Sequence, residues 1–562
     1  MQGSSIQLNL DGIKYLAIMH HDMAMMHYAK GEKDKALIYF QEAIKHFDKI
    51  YIEISASYKV NETVLSDLKT QINGVRNRII ETSCELAQSN QENEQYQKAI
   101  EYYSTAVYYS PDNAELYYNL GKCVHATGAY NSALLLLDRA LQISQSVFDA
   151  YRIIGDIYVY NIQNPQKAIE YYEQYTNFNS SNGLVYNMLG HLYEKIDKYR
   201  NIEKQVEMFE KCTELMPDFK CGIKNLALVY PRVGKNEQAV SCYHKLFELG
   251  PTMDDRFDYA CLKIKMGDFE QGWKYYEYRF QKENGPTHYP QIKKPKWQGE
   301  KILNKTLLVQ YEQGFGDSIQ FFRYLLQIKP LASKIIFRVQ NDLVELFKMN
   351  TSDIEIVGMD KPLEAIKFDY HVPLMSLPYI LKIKKDDIPL TQGYIKADTQ
   401  KAQEYKGKVF NHDCLKIGIS FEGSKDGNER RNIPLETFYP LAQIEGAKVY
   451  SFQKGLGSEQ LQNLPSDIEI VDLGTGFRDF SDTAAALSNL DLFITSDNGV
   501  FNLAASMGIK TFLLLNQDSE WRWFFDEEKT PWYDSVKIFK KQNENDDWAM
   551  LMQRVLAEIK QK

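Results

Sequence analysis

Residues 310–324 read QYEQGFGDSIQFFRY and join an apolar run at 306–309 to a stretch with helical spacing. In that stretch apolar side chains recur every three or four positions, at Ile319, Phe322, Leu325 and Leu326. Gly314 and Gly316 lie between the predicted strand and helix, where glycine permits a sharp turn and the close approach of a ligand. Asp317 follows in the first helical turn, at the strand's carboxyl end, where open α/β sheets bind ligands. The stretch therefore predicts an α/β sheet with Asp317 as a candidate catalytic carboxylate.

The composition is that of an ordinary soluble globular protein. The chain has 562 residues, of which 44% are hydrophobic and 25% are charged. That length exceeds what one hydrophobic core supports, so about three or four domains are expected. The net charge of −9 argues against nucleic acid as the main partner, because binding to phosphates requires a basic face.

Targeting and metal-binding signals are missing from the sequence. No stretch approaches the roughly 20 consecutive apolar residues of a transmembrane segment, and the N-terminal residues lack the pattern of a secretion signal. The seven cysteines show no CxxC pairing and the ten histidines form no ligand cluster. Free thiols are expected rather than metal ligands or disulfides. These features predict a cytoplasmic protein that needs neither a metal nor another cofactor.

The first half of the chain carries a recurring pattern of small residues. The copies contain Ala24, Ala36 and Ala43; Ala87, Ala99 and Ala106; Gly121, Ala133 and Ala140; and Gly155 with Ala168. Ala99 and Ala133 are 34 positions apart, and Ala133 and Ala168 are 35 apart, which is the period of the tetratricopeptide repeat. Residues 1–284 are therefore predicted to form a helical tetratricopeptide-repeat solenoid.

Small residues in such repeats let the two helices of a pair approach each other. Tyr102, Leu136 and Tyr171 stand at positions predicted to fill the space between pairs. A repeat array builds a concave surface, and its usual role is to bind a peptide or protein. A dimerisation module or a purely structural module is the alternative, and dimerisation through the repeats would make the protein a homo-oligomer.

Residues 285–303 are predicted to form an extended linker. They contain Pro286, Pro290 and Pro295 and show little periodicity, and proline-rich stretches of this kind mark loops. Trp297 is expected to anchor the linker against a neighbouring domain.

Three motifs around the linker carry a resemblance to a known family. They are GDFEQGWKYYEYRF at 267–280, PKWQGE at 295–300 and EQGFGDSIQFFRY at 312–324. Together they resemble bacterial tetratricopeptide-repeat proteins that carry a glycosyltransferase domain of the GT-B fold. The catalytic half of those proteins is similar to the ADP-heptose–lipopolysaccharide heptosyltransferases. The order of repeats and GT-B halves is also similar to that of the O-linked N-acetylglucosamine transferases.

Strand and helix patterns alternate through the rest of the chain, which predicts parallel α/β sheets. In residues 304–405 the predicted strands are 307–310, 334–339, 354–357 and 370–372. In residues 406–545 they are 415–421, 448–452, 468–471, 491–495 and 510–514. The resemblance implies the two Rossmann-like halves of a GT-B fold, with the acceptor side first and the nucleotide-sugar side second. It also implies that residues 546–562 form a helix that packs back across both halves.

Polar residues and glycines at the strand ends are the candidates for binding a nucleotide sugar. Lysine and arginine suit a diphosphate, and the amides at a helix start suit a phosphate. The resemblance implies this donor-binding set: Gly316, Ser420, Glu422, Arg431, Gln453, Lys454, Gly455, Asp472, Thr483, Asp497, Asn498, Gly499 and Asn502. Lys425 and Arg430 are expected to lie in a solvated loop instead.

Several of these residues have alternative roles. Gln453 could contact a base edge and Lys454 could neutralise a phosphate. Asp482 and Thr483 are suited to cap a helix, since their side chains accept hydrogen bonds from backbone amides. Asp497 suits either sugar hydroxyls or a helix cap.

Two asparagines mark a departure from the family that this chain resembles. Asn498 stands where that family has a threonine, and Asn502 stands where it has a histidine. An amide can donate a hydrogen bond to a phosphate, but it cannot carry a positive charge. The donor sugar and its base are therefore left open. The aromatic tail at 521–523 and 531–533 is expected to pack in the core.

The resulting hypothesis is a metal-independent, inverting glycosyl transfer. Asp317 would remove the proton from an acceptor hydroxyl as that hydroxyl attacks the anomeric carbon. Residues 497–502, with Lys454 and Arg431, would stabilise the departing nucleotide diphosphate. The expected acceptor is a protein or peptide presented by the repeats. The alternatives are a non-catalytic repeat scaffold with a decayed transferase domain, and a transferase that acts on a glycan or lipid.

Overall fold

The computed structural model describes residues 2–56, 62–198, 200–282, 289–423, 431–525, 528–542 and 546–561. Lys425, Arg430 and Pro286 lie outside these residues. The contacts divide the chain into two compact units, Met1–Pro217 and Asp218–Lys562. No described helix is both long and apolar enough to cross a membrane.

The first unit is built from helices. They are α1 (Gln2–Ala29), α2 (Lys33–Ser55), α3 (Glu62–Glu92), α4 (Tyr96–Tyr109), α5 (Ala114–Ala126), α6 (Tyr130–Ile143), α7 (Asp149–Ile157), α8 (Pro165–Phe178), α9 (Gly183–Ile196) and α10 (Ile202–Leu215). Each odd-numbered helix packs closely against the next even-numbered one. The helical repeat solenoid predicted from the spacing of small residues is confirmed for this unit.

Glycines stand where the two helices of a pair come closest. A Cβ added to Gly155 would lie 2.6 Å from the ring of Tyr172, and one added to Gly190 would lie 2.5 Å from the ring of Phe209. Real Cβ atoms do not approach neighbours so closely, because interiors are packed to van der Waals contact. The small residues of the repeat therefore set the separation of the paired helices.

Larger residues lie between neighbouring pairs, as the sequence predicts. The Tyr171 hydroxyl donates to Asp138 of α6 at 3.2 Å, and the Tyr102 hydroxyl donates to Asp34 of α2. Leu136 at the equivalent position is half-buried. The space within each pair is filled by the residue that follows in the sequence, namely Tyr103, Leu137 and Tyr172, which are all buried.

The second unit contains two further helix pairs and two sheets. The paired helices are α11 (Lys220–Val229), α12 (Asn236–Glu248), α13 (Met253–Lys265) and α14 (Phe269–Tyr276). The first half adds β1 (Ile302–Gln310), α15 (Phe315–Ile328), β2 (Ala332–Val339), α16 (Val344–Asn350), β3 (Ile354–Gly358), β4 (Tyr370–Pro373) and α17 (Leu377–Ile380). The second half adds α18 (Thr399–Lys408), β5 (Leu415–Ser420), α19 (Tyr439–Ala442), β6 (Ala447–Ser451), β7 (Ile470–Asp472), α20 (Phe480–Leu487), β8 (Leu492–Thr495), α21 (Gly499–Ser506), β9 (Thr511–Leu515), β10 (Val536–Lys540) and α22 (Trp548–Lys560).

Both sheets are parallel, which confirms the α/β class of this region. The first has the order β3-β2-β1-β4 and the second has the order β10-β9-β8-β5-β6-β7. In the first sheet, Leu307 of β1 pairs with Ile335 of β2 and Tyr370 of β4. In the second, the chain runs outward from β5 to β6 and later returns to β8 on the other side of β5. Strand order therefore reverses between β1 and β4 in the first sheet and between β5 and β8 in the second. Ligands bind at such points in open α/β sheets.

The last helix pair, α13 and α14, shares the core of the first sheet. Trp273 of α14 lies edge-on to Phe321 of α15, with ring centroids 6.0 Å apart, and to Trp521 at 5.6 Å. The boundary between the two compact units lies at residue 217, whereas the repeats are predicted to continue to residue 284. Trp297 is fully buried and its amide donates to the His371 carbonyl at 2.9 Å, so the described part of the linker is held against β4.

The C-terminal helix packs on the second sheet. Leu551, Met552 and Val555 of α22 are buried in a cluster whose other members all come from residues 415 to 559. Lys537 of β10 pairs with Glu558 at 2.8 Å. The helix thus covers one half, where the sequence predicted a helix lying across both.

Candidate functional site

Asp317 lies in the first turn of α15, directly after the loop that follows β1. Its carboxylate accepts a hydrogen bond from the amide of Gly314 at 2.9 Å. A carboxylate at this position satisfies an amide that has no partner within the helix, and it complements the positive end of the helix dipole. The glycine-containing turn predicted from the sequence therefore holds Asp317 in a fixed orientation.

A cavity of about 450 Å³ lies beside Asp317. Its walls come from the loop after β1, the start of α15, the start of α21 and the segment after β9. The lining residues include Gly316, Asp317, Arg431, Asp497, Asn498, Gly499, Asn502, Glu520 and Arg522. The structure therefore gathers candidates from both halves around one cavity, which we call the Asp317 cavity.

Arg522 is the direct partner of Asp317. Its guanidinium forms an ion pair with the Asp317 carboxylate and donates from Nε to Oε1 of Gln320 at 3.1 Å. It also lies 4.1 Å from the centre of the Trp521 ring. Burial alone would lower the pKa of Arg522, but the Asp317 carboxylate, together with Tyr276 and Asp497, raises it above its ordinary value. Arg522 is 8% exposed, so the pair is largely removed from water.

Glu520 connects this pair to a second arginine. It accepts a hydrogen bond from Arg522 at 2.8 Å and is also paired with Arg431. The Nε atom of Arg431 is buried and has no hydrogen-bond partner among the described residues. Four charged side chains, Arg431, Glu520, Arg522 and Asp317, therefore form one chain along the wall of the Asp317 cavity.

The start of α21 forms the opposite part of the wall. Asn498 caps this helix, since its Oδ1 accepts from the amide of Phe501 at 2.9 Å. Its Nδ2 donates to the Ser420 hydroxyl at 3.1 Å, which ties the start of α21 to the end of β5. Asp497 accepts from the indole of Trp523 at 2.8 Å. The side chains of Asn498 and Asp497 are thus oriented by the protein, and the helix start remains on the cavity wall.

Asn502 is buried and uses both ends of its side chain. Its Nδ2 donates to the carbonyl of Asn498 at 3.1 Å, and its Oδ1 accepts from the Tyr533 hydroxyl at 3.1 Å. A Cβ added to Gly316 would lie 2.7 Å from this Nδ2. Gly316 therefore allows the first turn of α15 to lie against α21.

A second cavity of about 340 Å³ adjoins the first and shares Phe315, Gly423, Asn498 and Gly499 with it. Five of the predicted donor-binding residues line only this cavity: Ser420, Glu422, Gln453, Lys454 and Thr483. Phe315 and Phe480 both line it, with ring centroids 5.0 Å apart. The Lys454 ammonium donates to the carbonyl of Phe477 at 2.5 Å. We call this the Lys454 cavity.

Gln453 has a different role from the one predicted. Its Oε1 accepts from the amides of Phe421 and Glu422, each at 3.0 Å. Its Nε2 donates to the carbonyls of Glu422 and Leu456 at 3.1 and 2.6 Å. Since these bonds use the donors and the acceptor of the amide, Gln453 shapes the loop after β5 and is not available to contact a base edge.

Other predicted residues lie away from the cavities or act differently. Asp472 and Gly455 line neither cavity, and Asp472 accepts from the Thr475 hydroxyl at 2.7 Å. Asp479, rather than Asp482 or Thr483, caps α20, and it accepts from the Ser481 amide at 2.8 Å. Asp482 instead accepts hydrogen bonds from Arg478 and Lys401. These bonds hold the pKa of its carboxyl far below the usual range, although burial opposes this.

The loop before Asp317 is anchored by a buried ion pair. Arg279, at the end of the last repeat, donates to both oxygens of Glu312 at 2.7 and 3.1 Å, and each side chain is 1% exposed. Glu312 also accepts from the Met375 amide at 2.8 Å. Burial alone would lower the pKa of Arg279, but Glu312 and Glu277 raise it well above its ordinary value. The last repeat thus holds the loop that carries Gly314 and Gly316.

Arg522 and Glu520 were not among the predicted site residues. The segment 521–523 was assigned to aromatic packing, and Trp521 and Trp523 are indeed buried. The available signal was an arginine in a strongly apolar segment, because a buried arginine needs a charged or hydrogen-bonding partner. The sequence could not indicate that this partner is Asp317, 205 positions earlier.

Comparison with known proteins identifies one part of the chain. A family model described as tetratricopeptide repeat matches residues 91–152. Protein FlbA of Caulobacter vibrioides is 22% identical over 429 residues, which cover 71% of this chain and 70% of that protein. The chain contains a tetratricopeptide repeat. Repeats of this type indicate a protein-interaction scaffold.

Solved structures of repeat proteins are also similar over part of the chain. MamA from Desulfovibrio magneticus RS-1 is 19% identical, covers 30% of this chain and 94% of its own, and has a TM-score of 0.27. YrrB, described as a TPR protein with an unusual peptide-binding site, is 17% identical, covers 31% of this chain and 88% of its own, and has a TM-score of 0.27.

Proposed function

We propose that the second unit is a glycosyltransferase of the GT-B type. It would transfer a sugar from a nucleotide-sugar donor to an acceptor hydroxyl. The observation that carries this proposal is the position of Asp317 on the wall of a cavity that is also lined by Arg431 and the start of α21. A carboxylate to accept a proton and a cationic, amide-rich wall to hold a diphosphate are the two requirements of such a transfer.

The two adjoining cavities suit the two parts of a nucleotide sugar. The Lys454 cavity is lined by Phe315, Phe452, Phe477 and Phe480, and aromatic walls of this kind suit a nucleobase. The start of α21 lies on the walls of both cavities, where helix amides suit a diphosphate. In this arrangement the sugar would extend into the Asp317 cavity.

The proposed reaction proceeds by direct displacement. An acceptor hydroxyl attacks the anomeric carbon, and its proton passes to a free lone pair of the Asp317 carboxylate. The bond from the anomeric carbon to the phosphate oxygen breaks, and the nucleoside diphosphate leaves with the electron pair. Arg431, Lys454 and the α21 amides would stabilise the negative charge of the leaving group. Attack opposite the leaving group would invert the anomeric configuration, and no metal is required by these steps.

The acceptor is proposed to be a protein or peptide. The repeats of the first unit are a module of the protein-interaction type, and the same chain carries the proposed transferase. Binding of the acceptor by the repeats would raise its effective concentration at the catalytic half.

A non-catalytic scaffold is the second candidate function. It is favoured by the ion pair between Asp317 and Arg522, which occupies the carboxylate proposed as the base. The neutral side chain of Asn502 also favours it, because no cation stands at that position of the helix start. In a scaffold of this kind the α/β halves would support the repeats and bind no donor.

A donor-binding screen separates the two candidates. The melting of the second unit is followed with UDP-, GDP-, ADP-, CMP- and dTDP-sugars. Because all six tryptophans follow Asp218, their fluorescence reports on this unit alone. The transferase proposal predicts stabilisation by at least one of these donors, and loss of that stabilisation in Lys454→Ala. Equal melting with and without every donor would leave only the scaffold.

A further inference from the structure

The charged chain along the Asp317 cavity suggests how ligand binding and the proposed base are connected. We propose that Arg522 is a positioning residue that a bound diphosphate draws away from Asp317, so that ligand binding frees the Asp317 carboxylate. The proposal deepens the function given above and rests on it, since it assigns a diphosphate ligand to the same cavity.

The first argument is that Asp317 and a ligand would use the same guanidinium. Arg522 lines the Asp317 cavity, and its side chain is 10% exposed while that of Asp317 is 17% exposed. Each end of the ion pair thus reaches the cavity surface. A diphosphate in this cavity would offer the guanidinium more negative charge and more acceptor oxygens than the single Asp317 carboxylate, in a geometry that the arginine fork matches.

The second argument is that Arg522 has partners that would keep it in place during the exchange. Nε donates to Gln320, one Nη donates to Glu520, and the guanidinium lies over Trp521. Only the other Nη contacts Asp317. The contact to Asp317 can therefore be exchanged for a phosphate oxygen while the other three contacts remain.

The third argument comes from Arg431, the other end of the chain. Its Nε is buried without a hydrogen-bond partner among the described residues, although burying an unpaired donor is unfavourable. The same cavity wall thus holds one guanidinium N–H without a partner among the described residues and one guanidinium shared with Asp317. An anion of more than one phosphate can engage both, since Glu520 holds the two arginines next to each other.

The test is a double-mutant cycle that measures binding rather than transfer. Inorganic pyrophosphate and each nucleoside diphosphate of the donor panel are titrated calorimetrically into the wild type, Asp317→Asn, Arg522→Gln and the double variant. Asp317→Asn removes the competitor for Arg522, so we expect at least one of these probes to bind about fivefold or more tightly than to the wild type. Arg522→Gln should weaken its binding, and Asp317→Asn should then have little further effect.

Three controls separate this exchange from simpler effects. Asp467→Asn removes an exposed carboxylate of the second unit that lines neither cavity, and it should change the affinity by less than about twofold. Arg139→Gln alters an exposed arginine of the first unit and should have no effect. Arg522→Lys keeps the charge and should recover part of the affinity lost in Arg522→Gln. Tryptophan fluorescence checks that the second unit is folded in each variant, and hydrogen exchange of α6 peptides checks the first unit in Arg139→Gln.

The outcomes for the inference and for the proposed function are distinguishable. If Asp317→Asn tightens binding by the same factor in the wild type and in Arg522→Gln, the effect is general electrostatics and the proposed exchange is wrong. If none of the probes binds to either the wild type or Asp317→Asn, the exchange is also wrong. Failure of transfer with intact coupling would contradict the proposed function and leave the exchange standing.

Discussion

Gly316 and Asn502 are in direct contact: a Cβ on Gly316 would lie 2.7 Å from the Asn502 amide nitrogen. Asn502 cannot readily withdraw, because its side chain is held by the Asn498 carbonyl and the Tyr533 hydroxyl. The contact brings the first turns of α15 and α21 together, one from each half. The Asp317 cavity therefore depends on the absence of a side chain at position 316.

Gly316→Ala is expected to destabilise the second unit by about 1–3 kcal/mol, the usual effect of overpacking a close contact. Tryptophan fluorescence in urea measures this. Gly407→Ala is the matched control, since a Cβ there meets nothing within 4 Å and the position lies in α18. In an Asn502→Ala background, Gly316→Ala should lower the free energy of unfolding by less than it does in the wild type. An equal loss in the two backgrounds would contradict the assigned contact.

Arg279→Met is expected to destabilise the second unit by about 3–5 kcal/mol, because Glu312 would be left charged and buried without its partner. Hydrogen exchange of peptides from β1 and the following loop should rise most, since Glu312 belongs to that loop. Arg78→Met is the control: Arg78 pairs with Glu81 on an exposed helix surface, and its loss should change stability by less than about 0.5 kcal/mol. Equal effects of the two variants would contradict the anchoring role.

Gly155→Ala tests the repeat packing in the first unit. The added methyl would lie 2.6 Å from the Tyr172 ring, so helices α7 and α8 must separate at a cost of about 1–3 kcal/mol. Hydrogen exchange of α7 and α8 peptides should increase. Gly74→Ala in α3, where a Cβ meets nothing within 4 Å, should instead stabilise by about 0.4–1 kcal/mol.

The linker contact at His371 should depend on pH. Burial lowers the pKa of His371 below its ordinary value, so the folded protein favours the neutral imidazole, which hydrogen-bonds with Tyr289 at 2.6 Å. The stability that the neutral imidazole contributes is fully present above about pH 6.5, the pKa of histidine in the unfolded chain. It is lost as the pH falls from there through the lower pKa of His371 in the folded protein. The urea midpoint of tryptophan fluorescence should therefore fall between about pH 7 and pH 5, and less steeply in His371→Gln. Parallel curves for the two proteins would exclude His371 as the source.

Much of this fold follows from local patterns, because buried parallel strands are short apolar runs and paired helices need small residues at fixed spacing. That is why β1 to β9 and the alanines of the repeats were predicted. β10 was missed, since Lys537 and Lys540 give it a mixed pattern that reads as an irregular segment.

Pairings between distant residues could not be predicted. Asp317 and Arg522 belong to different halves, and no local pattern links them. Gln453 was located correctly at the end of its strand, but its role depends on amides 31 and 32 positions earlier. The sequence therefore places these residues at strand ends, whereas the contacts of each side chain come from the tertiary fold.

The release of the nucleotide (a nucleoside diphosphate, or CMP from the CMP-sugar) by the wild type and by Asp317→Asn is the most direct test of the proposed transfer. Each donor of the panel is incubated with the protein, with and without peptides rich in serine and threonine. We predict release by the wild type from at least one donor and a decrease of about 100-fold or more in Asp317→Asn, with donor binding retained. Unchanged release by Asp317→Asn, or no release from any donor by the wild type, would contradict the assignment.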